Sequence, residues 1–448
     1  MKKNTLYIIL LVVFAGTAGF VLMKYNKDKQ IKSESMYALL ESSGSGANTE
    51  EWKNTKKNVN RLMETLKAKP GDTKTLIALS NLFILEARAT GNYTYYDMGA
   101  MKYINEILKN DPNNFEALTL KSLVYLSQHH FADGLATAQK AAASNSHNAF
   151  VQGVLVDGYV EMGNYDSAVI SAENMMSIRP DLRSYARASY LREIYGDYPG
   201  AIEAMKLAIQ AGAEGDESTE WSRVQLGHLY ENTGDLKNAE MQYTIALQGR
   251  PGYVHALAGM AHISMAAKDY NQAITYYQQA DSSGNDFSFK EELADAYILA
   301  GQKDKAAAIT KNDIEEMSKK ANAGNKDETI GHYADRELAH AYLKINDYDK
   351  ALEHALAEYN RRPNNIDVNE TLAWVYYKKG DNQKALPYIK TALKTNSKNP
   401  TLLCRAALIY KKEGDRQTEK KYFEEALKNN PNIAEGLKNE SNNAMQQL

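Results

Sequence analysis

The side chains with the widest chemical repertoire here are nine histidines and one cysteine, and their spacing prescribes no reaction. His228, His255 and His262 fall in one stretch, and Glu231 follows His228 by three residues, which puts the two on one face of a helix. Imidazole titrates near pH ~6.5 when unperturbed, so such a patch would change charge between roughly pH 5 and 8 and make a binding surface pH-dependent. Three independent, hydrated histidines are the plainer alternative. No carboxylate and histidine spacing demands a metal. Cys404 stands alone, so it can neither close an intrachain disulfide nor build a thiolate zinc site. Its neighbours Leu403 and Ala406 to Leu408 are apolar, which reads as a buried, inert thiol. There is no HExxH, no GxSxG, no CxxC and no phosphate-binding glycine loop. Gly212-Ala213-Glu214-Gly215 has no strand before it and reads as a loop. Asn92-Tyr93-Thr94 fits a glycosylation acceptor pattern but sits in a chain whose export signal looks bacterial. The expectation is a protein that is not an enzyme, with no catalytic residue, cofactor or metal.

The elements that must position these residues are helical. Pro is rare, at 9 of 448 residues, while Ala, Leu, Lys and Glu abound. A net charge of -3, from 53 Lys+Arg and 56 Asp+Glu, offers no basic field for nucleic acid. At the N-terminus, Lys2 and Lys3 precede an uncharged run from Leu6 to Met23. Eighteen helical residues span about 27 Å, close to a bilayer's hydrocarbon core. Residues 1–24 are therefore expected to be a signal anchor or, if cleaved after Ala18, a signal peptide. Apolar residues continue to Met23, which favours the anchor, and the opening lysine pair favours export of the remainder to the periplasmic side. Lys24, Lys27, Lys29 and Lys32 argue for the opposite orientation.

One phrase recurs down the chain: a Gly or Asn, an Asp or similar, an aromatic, two polar residues, then Ala. Examples are Gly163 to Ala168, Gly234 to Ala239 and Asn346 to Ala351. The closing small residues are Gly134, Ala168, Ala201, Ala239, Ala273, Ala306, Ala351 and Ala385, with Glu419 as a departure. Their intervals are 34, 33, 38, 34, 33, 45, 34 and 34 residues. Tyr stands nine residues before seven of these anchors, Ala seven after six, and Pro twelve after four. The glycine ends one helix, the small residue lets two helices touch, and the proline stops the second helix. A large residue at Ala239 is expected to wedge its hairpin apart, whereas the place held by Glu419 is expected to tolerate one much as a surface does. Most of the 30 tyrosines are accounted for as packing in this period.

With Leu226-Gly227, Tyr230, Gly234, Ala239, Tyr243, Ala246 and Pro251 in register, the chain resembles the tetratricopeptide repeat family over roughly Thr73 to Ile433. The resemblance implies an all-α, right-handed superhelical solenoid of about nine to ten helix-turn-helix repeats. The expected organisation is a flexible linker at 25–49, an N-terminal capping helix at 50–72 and a first part of the array at 73–322. An inserted loop at 323–331, a second part at 332–433 and a C-terminal tail at 434–448 follow. The resemblance also implies a protein or peptide partner in a concave groove lined by the first helices. Reading the groove columns off the anchors gives Asp157, Tyr190, Trp221, His228, Glu231, His255 and His262, then Asp295, Arg336, His340, Trp374, Tyr377 and Lys378. Mixed aromatics, histidines and charges suit protein-binding hot spots. The family's clamp for acidic chaperone C-termini has Asn where this chain has Asp, Tyr, His and Trp, so that mode is not expected. The leading reading is a non-catalytic, membrane-tethered scaffold of the bacterial envelope. The alternative is a subunit resembling the repeat-bearing partners of cytochrome c maturation, holding an apoprotein segment.

Overall fold

The computed structural model describes residues 16, 17, 19, 22–24, 37–41, 50–281, 289–324, 331–430 and 432–446. Among the described residues there is no strand, and no helix is long and apolar enough to cross a membrane. Most of the apolar run 6–23, most of the linker and the centre of the inserted loop lie outside them.

Helix α1 (Glu50–Ala68) precedes ten antiparallel helix pairs. The pairs are α2 (Thr73–Thr90) with α3 (Tyr93–Asn110), α4 (Phe115–Ser127) with α5 (Phe131–Ser144), and α6 (Ala149–Glu161) with α7 (Tyr165–Ile178). They continue with α8 (Leu182–Ile194) and α9 (Tyr198–Gln210), α10 (Glu217–Asn232) and α11 (Leu236–Gly249), and α12 (Val254–Ala266) and α13 (Tyr270–Asp281). Then come α14 (Lys290–Leu299) with α15 (Lys303–Gly324), α16 (Asp335–Lys344) with α17 (Tyr348–Arg361), α18 (Ile366–Lys379) with α19 (Asn382–Ala392), and α20 (Pro400–Lys412) with α21 (Arg416–Asn429). The stretch read as a tail carries one more helix, α22 (Glu435–Met445). The chain is thus an all-α solenoid of helix-turn-helix repeats.

The period has the physical cause expected of it. The anchors Ala168, Ala201, Ala239, Ala273, Ala351 and Ala385 are wholly buried where the two helices of a pair touch. Asn164, Asp197, Asp235, Asp347 and Asp415 cap the second helices by accepting a backbone N–H three residues on. Glu419 corrects the sequence reading. It occupies the anchor place of α21 at 2% exposure, with Lys411 Nζ 3.8 Å from its carboxylate, so its site is interior rather than surface-like. Cys404 is fully buried, and burial pushes its thiol pKa up.

A second order of contact has no local signature in the sequence. The superhelix turns tightly enough that successive coils touch. The turn between α4 and α5 meets the segment before α16: His129 Nδ1–H donates to the Tyr333 carbonyl and His130 Nε2–H to that of Gly331, both at 2.9 Å. The turn between α6 and α7 meets the segment joining α17 to α18. There Arg362 bridges Glu161 and Glu358, Asn365 Nδ2 donates to the Glu161 carbonyl at 3.1 Å, and the Tyr165 hydroxyl accepts from Ile366 N–H at 2.9 Å. Gly163 and Gly196 lie in this seam with φ of 75° and 76°. A Cβ on Gly163 would sit 2.2 Å from the Asn364 carbonyl oxygen, and one on Gly196 2.7 Å from that of Asn396. Both positions need glycine for the turn and again for the approach of the next coil.

Candidate functional site: the concave interior

The concave face is lined by the first helices of the pairs. A cavity of about 620 Å³ lies on it among α1, α2, α6, α8 and α10. Leu82, Leu85, Leu182, Ala186, Met205 and Leu229 give it an apolar wall. Leu85 and Tyr190 remain 52% and 44% exposed inside it, which is unusual for large apolar side chains with protein around them. Tyr190 also borders a second cavity of about 140 Å³, beside Asp367 and Glu370, and the surrounding protein holds its phenol pKa well above the usual range.

Charges line the rest. Arg187 grips both carboxylate oxygens of Asp157 through Nε and Nη2, and its Nε–H also donates to the Gly153 carbonyl at 3.0 Å. Arg88 pairs with Glu217 at 3.1 Å and lies 5.1 Å from the Trp221 ring centre. Arg183 has no carboxylate within ion-pair distance among the described residues and lies 5.7 Å from the Phe150 ring. Burial and the neighbouring Arg187 lower its pKa. Burial pushes Glu86 and Glu193 up to about 7, so the wall holds carboxyls that are partly protonated near neutrality.

The histidine patch differs from its expectation. His228 and His262 do meet, with ring centres 5.9 Å apart. His255 packs instead against Tyr253 and Phe289, at 5.3 and 6.2 Å. Glu231 accepts the Tyr243 hydroxyl at 2.6 Å and faces His262 Nδ1 at 3.2 Å. Burial alone would lower the His262 pKa, but Glu231 overrides it and raises the ring to about 9. Burial takes His255 down to about 4 and lowers His228. His262 is thus driven up while His228 and His255 are driven down. Tertiary neighbours, a carboxylate for one ring and apolar walls for the others, split them.

Farther along, Asp295 pairs with Lys344 at 2.7 Å. Arg336 lies in the field of Asp367, Glu337 and Glu370, which raises its pKa against the cost of burial. His340 Nε2 meets Thr371 Oγ1 at 3.1 Å, and burial with Arg336, Arg405 and Lys344 nearby keeps the ring neutral. Trp374, Tyr377 and Lys378 lie under α22 and are not open to the interior. Among the described residues no group of three His, Cys, Asp or Glu could hold a metal ion.

Sequence reasoning passed over Arg183, Glu193, Leu85 and Glu86. The first two stand in the same columns as Trp221 and Glu231, so the signal was there. Leu85 and Glu86 belong to the first pair, where α2 runs to 18 residues and the register is broken.

Tetratricopeptide repeat family models match residues 336–400, and separately 222–248, 254–283 and 400–433. A search of the curated proteins finds no match. Among solved structures the chain is similar to the APC/C hetero-tetramer Cut9–Hcn1, at 14% identity over 88% of this chain and 62% of that one, with a TM-score of 0.43. It thus spans less than two thirds of that relative. It is also similar to the human IFIT1 dimer with PPP-AAAA (14% identity, 77% of this chain, 88% of that one, TM-score 0.43). A thermophilic TPR protein of Thermus thermophilus matches at 19% identity over 46% of this chain and 98% of that one, with a TM-score of 0.36.

Proposed function

We propose that this chain is a non-catalytic binding protein that holds a segment of another protein in the cavity between α2 and α10, and that it does so tethered to a membrane at the cell envelope. The carrying observation is the exposure of Leu85 and Tyr190 within a cavity of about 620 Å³ that Arg183 also lines. An apolar wall with a few placed polar groups suits a peptide side chain or two, with Arg183 placed to take a carboxylate or carbonyl. Support for the tether is the lysine pair and the apolar run 6–23. The test is an affinity capture from detergent-solubilised membranes with wild-type, Leu85→Glu and Met241→Glu proteins. Met241 is exposed on α11, outside the cavity. A protein retained by wild type and Met241→Glu and lost by Leu85→Glu supports the cavity. Equal recovery with all three sinks it. Sedimentation with membranes after alkaline wash tests the tether, and a mature N-terminus at Gly19 would remove it.

A further inference from the structure

At the other end of the array the concave face already has an occupant. Trp374 and Tyr377 stack at 4.9 Å, and Lys378 Nζ and the Arg405 guanidinium lie 4.5 and 5.1 Å from the indole. Helix α22 lies across this platform. Glu440 accepts the Tyr377 hydroxyl at 2.9 Å on one oxygen and the Lys378 ammonium at 2.7 Å on the other. Lys411 Nζ donates to the Ala444 carbonyl at 2.9 Å. Leu437, Ala444 and Met445 join a cluster with Trp374, Leu403 and Phe423, and Ser441 is fully buried. The contacting residues 437, 440, 441, 444 and 445 follow the spacing of a single helical face.

Two observations set α22 apart from a further repeat. First helices from α4 to α20 pack mainly on the second helix of the preceding pair, whereas α22 packs mainly on the first helix α20 and little on α21. It is displaced inward, onto the surface where a ligand would lie. Its sequence, EGLKNESNNAM, is also a poor helix former, with Gly436, three asparagines and no side-chain cap at Ala434. Eleven residues of that composition do not hold a helix alone, so docking holds it.

We propose that the concave face of α18 and α20 is a helix-binding site, occupied in cis by α22. The partner that displaces α22 is an amphipathic helix of another protein. It carries an apolar residue, a glutamate three positions on, and small residues at the fourth and seventh positions, as Leu437, Glu440, Ser441 and Ala444 do. The glutamate meets Tyr377 and Lys378, and the small residues allow the approach that Ser441 makes now. A cis helix competes at high effective concentration, so it screens out weak ligands and yields to a better-formed helix with the same face. This site is separate from the cavity, and either reading can fail alone.

The test uses the full chain and a fluorescein-labelled peptide of residues 433–446. Glu440→Lys removes the bonds from Tyr377 and Lys378 and sets a lysine against Lys378. Lys378→Glu with Glu440→Lys restores an opposite pair. Leu437→Asp is a second way to release the helix. Hydrogen exchange over 435–445 reports release in each chain, and circular dichroism reports folding. The expected result is release in Glu440→Lys and Leu437→Asp and at least tenfold tighter peptide binding to the Leu437→Asp and Glu440→Lys chains than to wild type. The double variant should be protected again and bind weakly. Release without a gain in peptide affinity would overturn the proposal, as would full protection in both single variants. Dimerisation of the released chains would make the occupant a second copy of α22 and would overturn the assignment to another protein.

Discussion

Between α2 and α10 the first helices enclose about 620 Å³, whereas between α18 and α20 they enclose a helix. Residue type does not separate the two regions. Each sets an indole 5.1 Å from an arginine: Trp221 beside Arg88 and Trp374 beside Arg405. Each also mixes carboxylates with cations. What separates them is a covering element. Tyr190 keeps 44% of its surface where no described helix lies across it, and Trp374 keeps 8% under α22. The comparison teaches that one concave column serves as an open receptor or as an interior core according to what lies over it.

The largest effect is expected at the seam on which both regions rest. Arg362→Met leaves Glu161 without its cation and Glu358 with Arg361 alone, and breaking a buried pair from one side costs about 3–5 kcal/mol. Urea denaturation should show that loss, and a change below about 1 kcal/mol would mean that the coils do not depend on one another. Next comes the contrast itself. Trp374→Ala should cost about 3 kcal/mol, the lower end for a buried indole, and Tyr190→Ala within about 1 kcal/mol. Equal losses would erase the distinction between a filled and an open region.

A pH titration sharpens it further. The His262 pKa, raised to about 9 by Glu231, makes the pair stabilising in full below the ring's unfolded value of 6.5, and that contribution is lost as pH rises through 9. Glu231 is lowered, so its own contribution holds above 4.5 and fades as pH falls through the folded value. The melting temperature of wild type should therefore exceed that of His262→Gln most between about pH 4.5 and 6.5, with the gap closing by pH 10. A gap independent of pH would show that the ring acts by packing alone. The smallest effect is expected for Glu440→Gln. The pair with Lys378 is about one-third exposed, so its loss should cost about 1 kcal/mol or less and shrink in high salt. A larger loss would mean that α22 belongs to the core.

Most of the helix pairs were legible because a short phrase recurs about every 34 residues: a turn glycine or asparagine, a capping Asp or Asn and a buried alanine. The seam was not legible. It joins Glu161 to Arg362, 201 positions apart, and depends on small rotations accumulated over six pairs. Nor was α22, since Gly436 and its asparagines argue against a helix that only docking forms. The groove columns located Asp157, Tyr190 and Trp221 at the cavity, but column position cannot say which members are bonded to neighbours. Asp157 is held by Arg187, while Arg183 is held by no carboxylate among the described residues. Glu419 was misread because its position looked like a lapse in the period, while Lys411 offers its carboxylate a charge inside the core.

The seam has a consequence for how the chain is made. Ordinary solenoids need only the neighbouring repeat, so each pair can settle as it emerges. Here Glu161, Gly163 and Tyr165 leave the ribosome roughly 200 residues before Arg362, Asn364 and Ile366 arrive to meet them. At about 5–20 residues per second, that interval is on the order of 10–40 s. For that time the turns of the first coil present an unmatched carboxylate and bare glycine backbone. The early repeats must either remain accessible to chaperones or stay loosely ordered until the second coil is synthesised.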